Sequence, residues 1–296
     1  MKKWMIWLSV FFGLAVSSMA QVELSPFMGV NTSGSVADVS AKVEVALQDG
    51  NFEIVGQYNV AGHDDLKVIC FTRDDIKKTT SFFEDRGALA AVLKIGIKKD
   101  ADKIEVSILN PVYMFYAYFG EDYKDQKPAL EKIDKDAKNV LTSTFGNLSA
   151  FGGALEIEEL KKYHYKVMMP YFDDPEDLED YDSFEEGLAF IRKKIAASGK
   201  DILSVYEVVI PEKQTAIFGI GLLHPETGEG SFLPIIGERQ IAAMPYEIIL
   251  QGTEVTMLHG KYRFALYWPE LTMGEFMKIM STPGDVEDAM ESITED

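Results

Sequence analysis

Four histidines, at 63, 164, 224 and 259, and one cysteine, Cys70, are the side chains best able to hold a transition metal or act as a nucleophile. Zinc sites draw their ligands at short recurring spacings, and none of these histidines shares such a spacing with another histidine or with Cys70. No Gly-x-Ser-x-Gly elbow is present, and Cys70 sits in the apolar run Val68-Ile69-Cys70-Phe71, where a thiol behaves as a small hydrophobe. His63-Asp64-Asp65 reads as hairpin-turn chemistry. The loop from His224 to Gly230 is expected to precede neither a helix nor a Lys-Ser/Thr pair, and without that pair a phosphate-cradling loop is not supported. Met273, Met277 and Met280 lie at i, i+4 and i+7. Thioethers at that spacing usually fill a core, but exposed together they would suit Cu(I). No metal site, cofactor or catalytic residue is assigned.

The aromatic residues are the remaining signal. Tyr113, Phe115, Tyr116, Tyr118 and Phe119 form one series, and Tyr262, Phe264, Tyr267 and Trp268 form its counterpart. Such rings build core, yet the polar tips of Tyr and Trp also suit an apolar groove. The candidate ligand contacts are Tyr113, Tyr116, Tyr262, His259 and Trp268. The enzymatic alternative is a hydrolase with a site between domains, around His259, Tyr262 and Arg239.

The elements that must position these residues occur twice. VSILNPVYMF at 106–115 is echoed by VTMLHGKYRF at 255–264, and both are read as continuous strands. Ser35-Val-Ala-Asp38 and Ser183-Phe-Glu-Glu186 each place a hydroxyl cap three residues before an acid, a helix-start signal. Val36, Val39, Val43 and Leu47 follow the first cap at helical spacing, and Phe184, Leu188, Ile191 and Ile195 follow the second. Gly50 and Gly199 stop these helices. Paired extended runs come next, 52–60 with 67–72 and 202–210 with 214–222, and then Ala90-Ala91-Val92 and Ala242-Ala243-Met244 lead into 93–97 and 246–250. Closing helices are marked by Leu130, Ile133, Ala137, Val140 and Leu141, and by Val286, Ala289, Met290 and Ile293. The expectation is a tandem duplication: α+β, two similar domains, each a mostly antiparallel sheet packed against helices. The first occupies 21–150 and the second 183–296. Between them, 151–182 is expected to be an acidic linker, with Asp173 to Glu186 solvated and able at most to bind calcium loosely.

Residues 1–20 read as a signal peptide: Lys2 and Lys3, an apolar stretch from Trp4 to Val16, and Ser18-Met19-Ala20 as a cleavage signal. The stretch is too short for a spanning helix. The expected product is periplasmic or secreted, with no stable membrane insertion after cleavage. The formal charge is -19, and the leader carries only lysines, so the remainder is more acidic still. Such a surface repels phosphate backbones and anionic headgroups, which excludes nucleic acid as an expected partner.

Ala243-Met244-Pro245-Tyr246-Glu247-Ile248-Ile249-Leu250, followed by Glu254 to His259, resembles the uncharacterised family called domain of unknown function 302. The resemblance covers about 35–148 and 183–295; the first repeat has Val92-Leu93 where the second has Met244-Pro245. It implies a compact α+β unit and no catalytic residue. The expected role is therefore a non-enzymatic envelope module that binds a small apolar ligand or another envelope protein, with a hydrolase or a copper-handling accessory as alternatives.

Overall fold

The computed structural model describes residues 22–166 and 168–295. The expected leader, 1–20, lies outside the described residues. In chain order, the first part comprises β1 (Glu23–Leu24), β2 (Phe27–Thr32), α1 (Val36–Asp49), β3 (Glu53–Asn59), β4 (Leu66–Thr72), α2 (Asp74–Thr80), β5 (Leu93–Asp100), β6 (Lys103–Leu109), α3 (Pro111–Phe119), α4 (Lys127–Phe145), β7 (Ser149–Phe151), β8 (Leu155–Glu156) and α5 (Ile157–Leu160). The second comprises β9 (Glu176–Asp180), α6 (Phe184–Ala197), β10 (Ile202–Ile210), β11 (Thr215–Leu222), α7 (Glu229–Ile236), β12 (Tyr246–Gln251), β13 (Glu254–Met257), α8 (Gly260–Tyr267), α9 (Met273–Phe276) and α10 (Thr282–Thr294).

The chain is α+β, with two similar domains. Their sheets run β3-β4-β5-β6-β2-β7 and β10-β11-β12-β13-β9, antiparallel throughout, so the second repeats the first without its last strand. Each domain opens with a capped helix. Ser35 and Asp38 satisfy one another's backbone amides in a capping box, and Ser183 accepts from the Glu186 amide. Val39, Val43 and Leu47 of α1 are buried, as are Leu130, Ile133, Ala137, Val140 and Leu141 of α4, and both helices pack on the first sheet. α6 and α10 cover the second sheet in the same manner.

Two expectations need correction. The repeated ten-residue motif is not one strand: it breaks at Asn110 into β6 and α3, and at His259 into β13 and α8. Pro111 occupies the first turn of α3, where its fixed φ favours a helix and its missing N–H costs nothing. Tyr113, Met114, Phe115, Ala117, Tyr118 and Phe119 are all buried, so α3 is apolar around its circumference and shows no amphipathic period. Second, the acidic stretch at 173–186 is not wholly a solvated linker, because Glu176–Asp180 pairs with β13 as an edge strand. Leu178 points into the core, while the acids line an edge that charge keeps from pairing further.

The domains share one core and exchange equivalent contacts across it. Tyr113 Oη donates to the Leu266 carbonyl at 2.7 Å, and Tyr262 Oη, its counterpart, donates to the Ala117 carbonyl at 3.2 Å. Tyr118 and Tyr267, 149 positions apart, join hydroxyl to hydroxyl at 2.6 Å. This is the reciprocity of an isologous interface, here within one chain. The edge strands β3 and β10 also meet, each with an irregular register at the contact. A Cβ on Gly56 would lie 2.0 Å from the Val205 carbonyl oxygen, so only glycine permits this approach.

Charged groups are buried at the same boundary. Lys94 Nζ of β5 lies 2.7 Å from Glu247 Oε1 of β12, and Tyr206 Oη donates to that same oxygen. Glu229, fully buried at the start of α7, accepts from Tyr58 Oη at 2.7 Å and from the Ala61 amide at 3.0 Å, both in the first domain. Among the described residues, no helix is long and apolar enough to cross a membrane.

Candidate functional site

A cavity of about 260 Å³ opens beside α8. Phe264, Ala265 and Trp268 form one wall, Leu271, Met273 and Phe276 another, and Tyr165, Lys166 and Met169 of the interdomain connection a third; Lys261 completes the lining. The volume is slightly below the roughly 300–1,000 Å³ of drug-sized pockets, which suits a small ligand.

The first domain shows why the cavity is there. In the aligned series, Phe264 matches Phe115, Ala265 matches Tyr116 and Trp268 matches Phe119. Phe119 stacks on Phe83 with centroids 3.8 Å apart, and Tyr116 stacks on Tyr123 at 4.0 Å. The second domain has Ala265 where the first has Tyr116, and Phe264 and Trp268 line the cavity while staying almost wholly buried, at 1% and 3% exposed. The substitution is visible in the sequence, but its meaning depends on the connection that folds over it.

Of the five residues expected to touch a ligand, Trp268 alone lines this cavity. Tyr113 and Tyr262 are buried interdomain core with satisfied hydroxyls. Tyr116 is spent on Tyr123. His259 caps α8, accepting from the Lys261 amide at 3.3 Å, and its Nδ1 lies 3.0 Å from Glu176 Oε1. Burial, reinforced by Lys261, lowers the His259 pKa; burial raises that of Glu176. Sequence reasoning missed Tyr165, Met169, Leu271 and Phe276.

The hydrolase residues stand in separate settings. Arg239 holds both Glu105 carboxylate oxygens, at 2.7 and 2.9 Å, and its guanidinium lies 3.9 Å over the Phe151 ring. It faces an open polar cleft with Asn31, Lys98 and Asp100. Tyr262 and His259 keep the partners given above. Glu229 is the most perturbed carboxyl: burial raises its pKa to about 7, against the opposing effects of the Ala61 amide, the Tyr58 hydroxyl, the Leu222 amide and Arg263. It lines neither the apolar cavity nor the polar cleft.

Met273, Met277 and Met280 do not form a helix stripe in the core. α9 ends at Phe276, and the three are 55%, 57% and 60% exposed. Cys70 is fully buried in β4, and burial pushes its thiol pKa far up, so it is inert packing. Among the described residues, no group of three or more His, Cys, Asp or Glu side chains could hold a metal ion.

No protein-family model matches the chain, and no curated protein matches it. One similar solved structure is the crystal structure of the uncharacterized conserved protein DUF302 from Bacillus stearothermophilus. The two are 15% identical with a TM-score of 0.32, over 40% of this chain and 95% of that one.

Proposed function

We propose that this protein is an exported, non-enzymatic binding module that takes a small apolar ligand in the cavity beside α8. The observation that carries this reading is the apolar cavity lined by Phe264, Trp268 and Phe276 in the second domain, beside Ala265 at the position where the first domain has Tyr116 stacked on Tyr123. Flexible Met169 and Met273 in the lining adapt to ligands of irregular shape. Export is inferred from the leader. Tandem duplication of a unit like domain of unknown function 302 is inferred from the shared strand order and the exchanged tyrosine contacts.

Restoring the missing ring tests the reading. Ala265→Tyr is expected to weaken binding of the neutral fluorophore N-phenyl-1-naphthylamine by at least about tenfold, measured by fluorescence titration, with the unfolding midpoint near that of the parent. A folded Ala265→Tyr protein that binds the dye as before would place the dye, and the ligand, elsewhere.

The exposure of three methionines favours copper handling as a second reading, since thioethers select Cu(I). Stoichiometric Cu(I) capture that disappears when Met273, Met277 and Met280 are all replaced by Leu would support it; equal capture by both proteins would dismiss it.

A further inference from the structure

The charged side chains in the cavity lining are both lysines, Lys166 and Lys261, in a chain with 29 basic against 48 acidic residues. Neither forms a salt bridge among the described residues. The Lys166 ammonium rests 5.0 Å from the Tyr165 ring centroid at the rim. Lys261 sits in the first turn of α8 with its side chain exposed; Glu176 and Glu287 feel its charge but neither pairs with it. Both lysines are exposed, and no acidic side chain lines the cavity. Two ammonium groups beside one aromatic cavity form an anion-binding rim on an apolar body.

From this juxtaposition we infer that the ligand is an amphipathic carboxylate of medium length, its apolar part against Phe264, Trp268 and Phe276 and its carboxylate held by Lys166 and Lys261. This inference rests on the cavity being the ligand site and adds the class of ligand. Lysine suits the role: its long stem lies along apolar surface while the ammonium reaches the water boundary. A neutral alcohol of the same chain length would gain the apolar contacts and lose the charge-assisted hydrogen bonds.

The test displaces N-phenyl-1-naphthylamine from the full chain with decanoate and with decanol, in the parent and in a Lys166→Met/Lys261→Met variant that retains side-chain length. Decanoate is expected to displace the dye at a concentration at least about fivefold below that of decanol in the parent, and the double variant is expected to treat the two alike, the acid-to-alcohol ratio being taken within each protein so that a change in dye affinity cancels. Equal displacement by acid and alcohol in the parent, or a preference that survives the double substitution, overturns the anionic ligand and leaves the apolar site standing. Failure of the folded parent to bind dye overturns the site itself, and the inference with it.

Discussion

Glu247→Leu is expected to destabilise the protein by about 3–5 kcal/mol, the usual cost of leaving one member of a buried ion pair alone. Lys94 is 2% exposed and its partner carboxylate 7%, so neither water nor another carboxylate can replace Glu247 without rearrangement. The pair joins the central strands β5 and β12 of the two domains, and Tyr206 donates to the same Glu247 oxygen. Lys94→Met combined with Glu247→Leu is expected to recover most of the loss, because neither charge then has to be desolvated, and adding Tyr206→Phe removes the orphaned hydroxyl. Urea unfolding of the single, double and triple variants measures this. A Glu247→Leu protein within about 1 kcal/mol of the parent would mean that the domain boundary admits water and is not dry packing.

The second large effect depends on pH. Glu229 in the fold has a pKa raised to about 7 from an ordinary 4.5, with burial as the main cause. A group that holds its proton more tightly when folded contributes stability that is fully present below about pH 4.5 and is lost as pH rises through about 7. At roughly 1.36 kcal/mol per unit, this amounts to about 3 kcal/mol between those limits. The groups facing it are Tyr58 and the Ala61 amide from the first domain, the Leu222 amide from β11, and Arg263 from α8, whose guanidinium also packs over Tyr246. Glu229→Gln keeps an acceptor for Tyr58 and removes the titration. Its stability is expected to decline less than that of the parent between pH 5 and 8, by urea unfolding at each pH. Parallel curves for the two proteins would show that Glu229 ionises freely in the fold.

The elements that could be read from the sequence are those whose signals are local. Ser35 and Ser183 announce their helices because a cap is a contact between neighbours in sequence, and α4 and α10 show an amphipathic period because one face meets water. β2 and β9 were hidden for opposite reasons. β2 alternates buried and partly exposed residues but lies ahead of the first cap, outside the repeat as aligned. β9 reads Glu-Asp-Leu-Glu-Asp, and only its docking against β13 makes it a strand. α3 concealed its helical period by being buried all round, and Asn110-Pro111 was the one mark of the break. The site was legible in part. Trp268 stood out by type, and the exchange of Tyr116 for Ala265 was present in the alignment. The third wall, Tyr165 to Met169, comes from a connection whose position no periodicity encodes. The methionines invite the usual core reading because their spacing fits a helix, but that helix ends after four residues and leaves all three exposed.

From Gln21 onward, Trp268 is the only tryptophan in the chain, so it reports on the cavity without competition. The most direct measurement excites Trp268 in that chain while N-phenyl-1-naphthylamine is added, and follows energy transfer to the dye. Saturable quenching with sensitised dye emission at one dye per chain, abolished by Ala265→Tyr, is the expected result. A folded protein that shows no transfer, or transfer that Ala265→Tyr leaves intact, would contradict a ligand site beside α8.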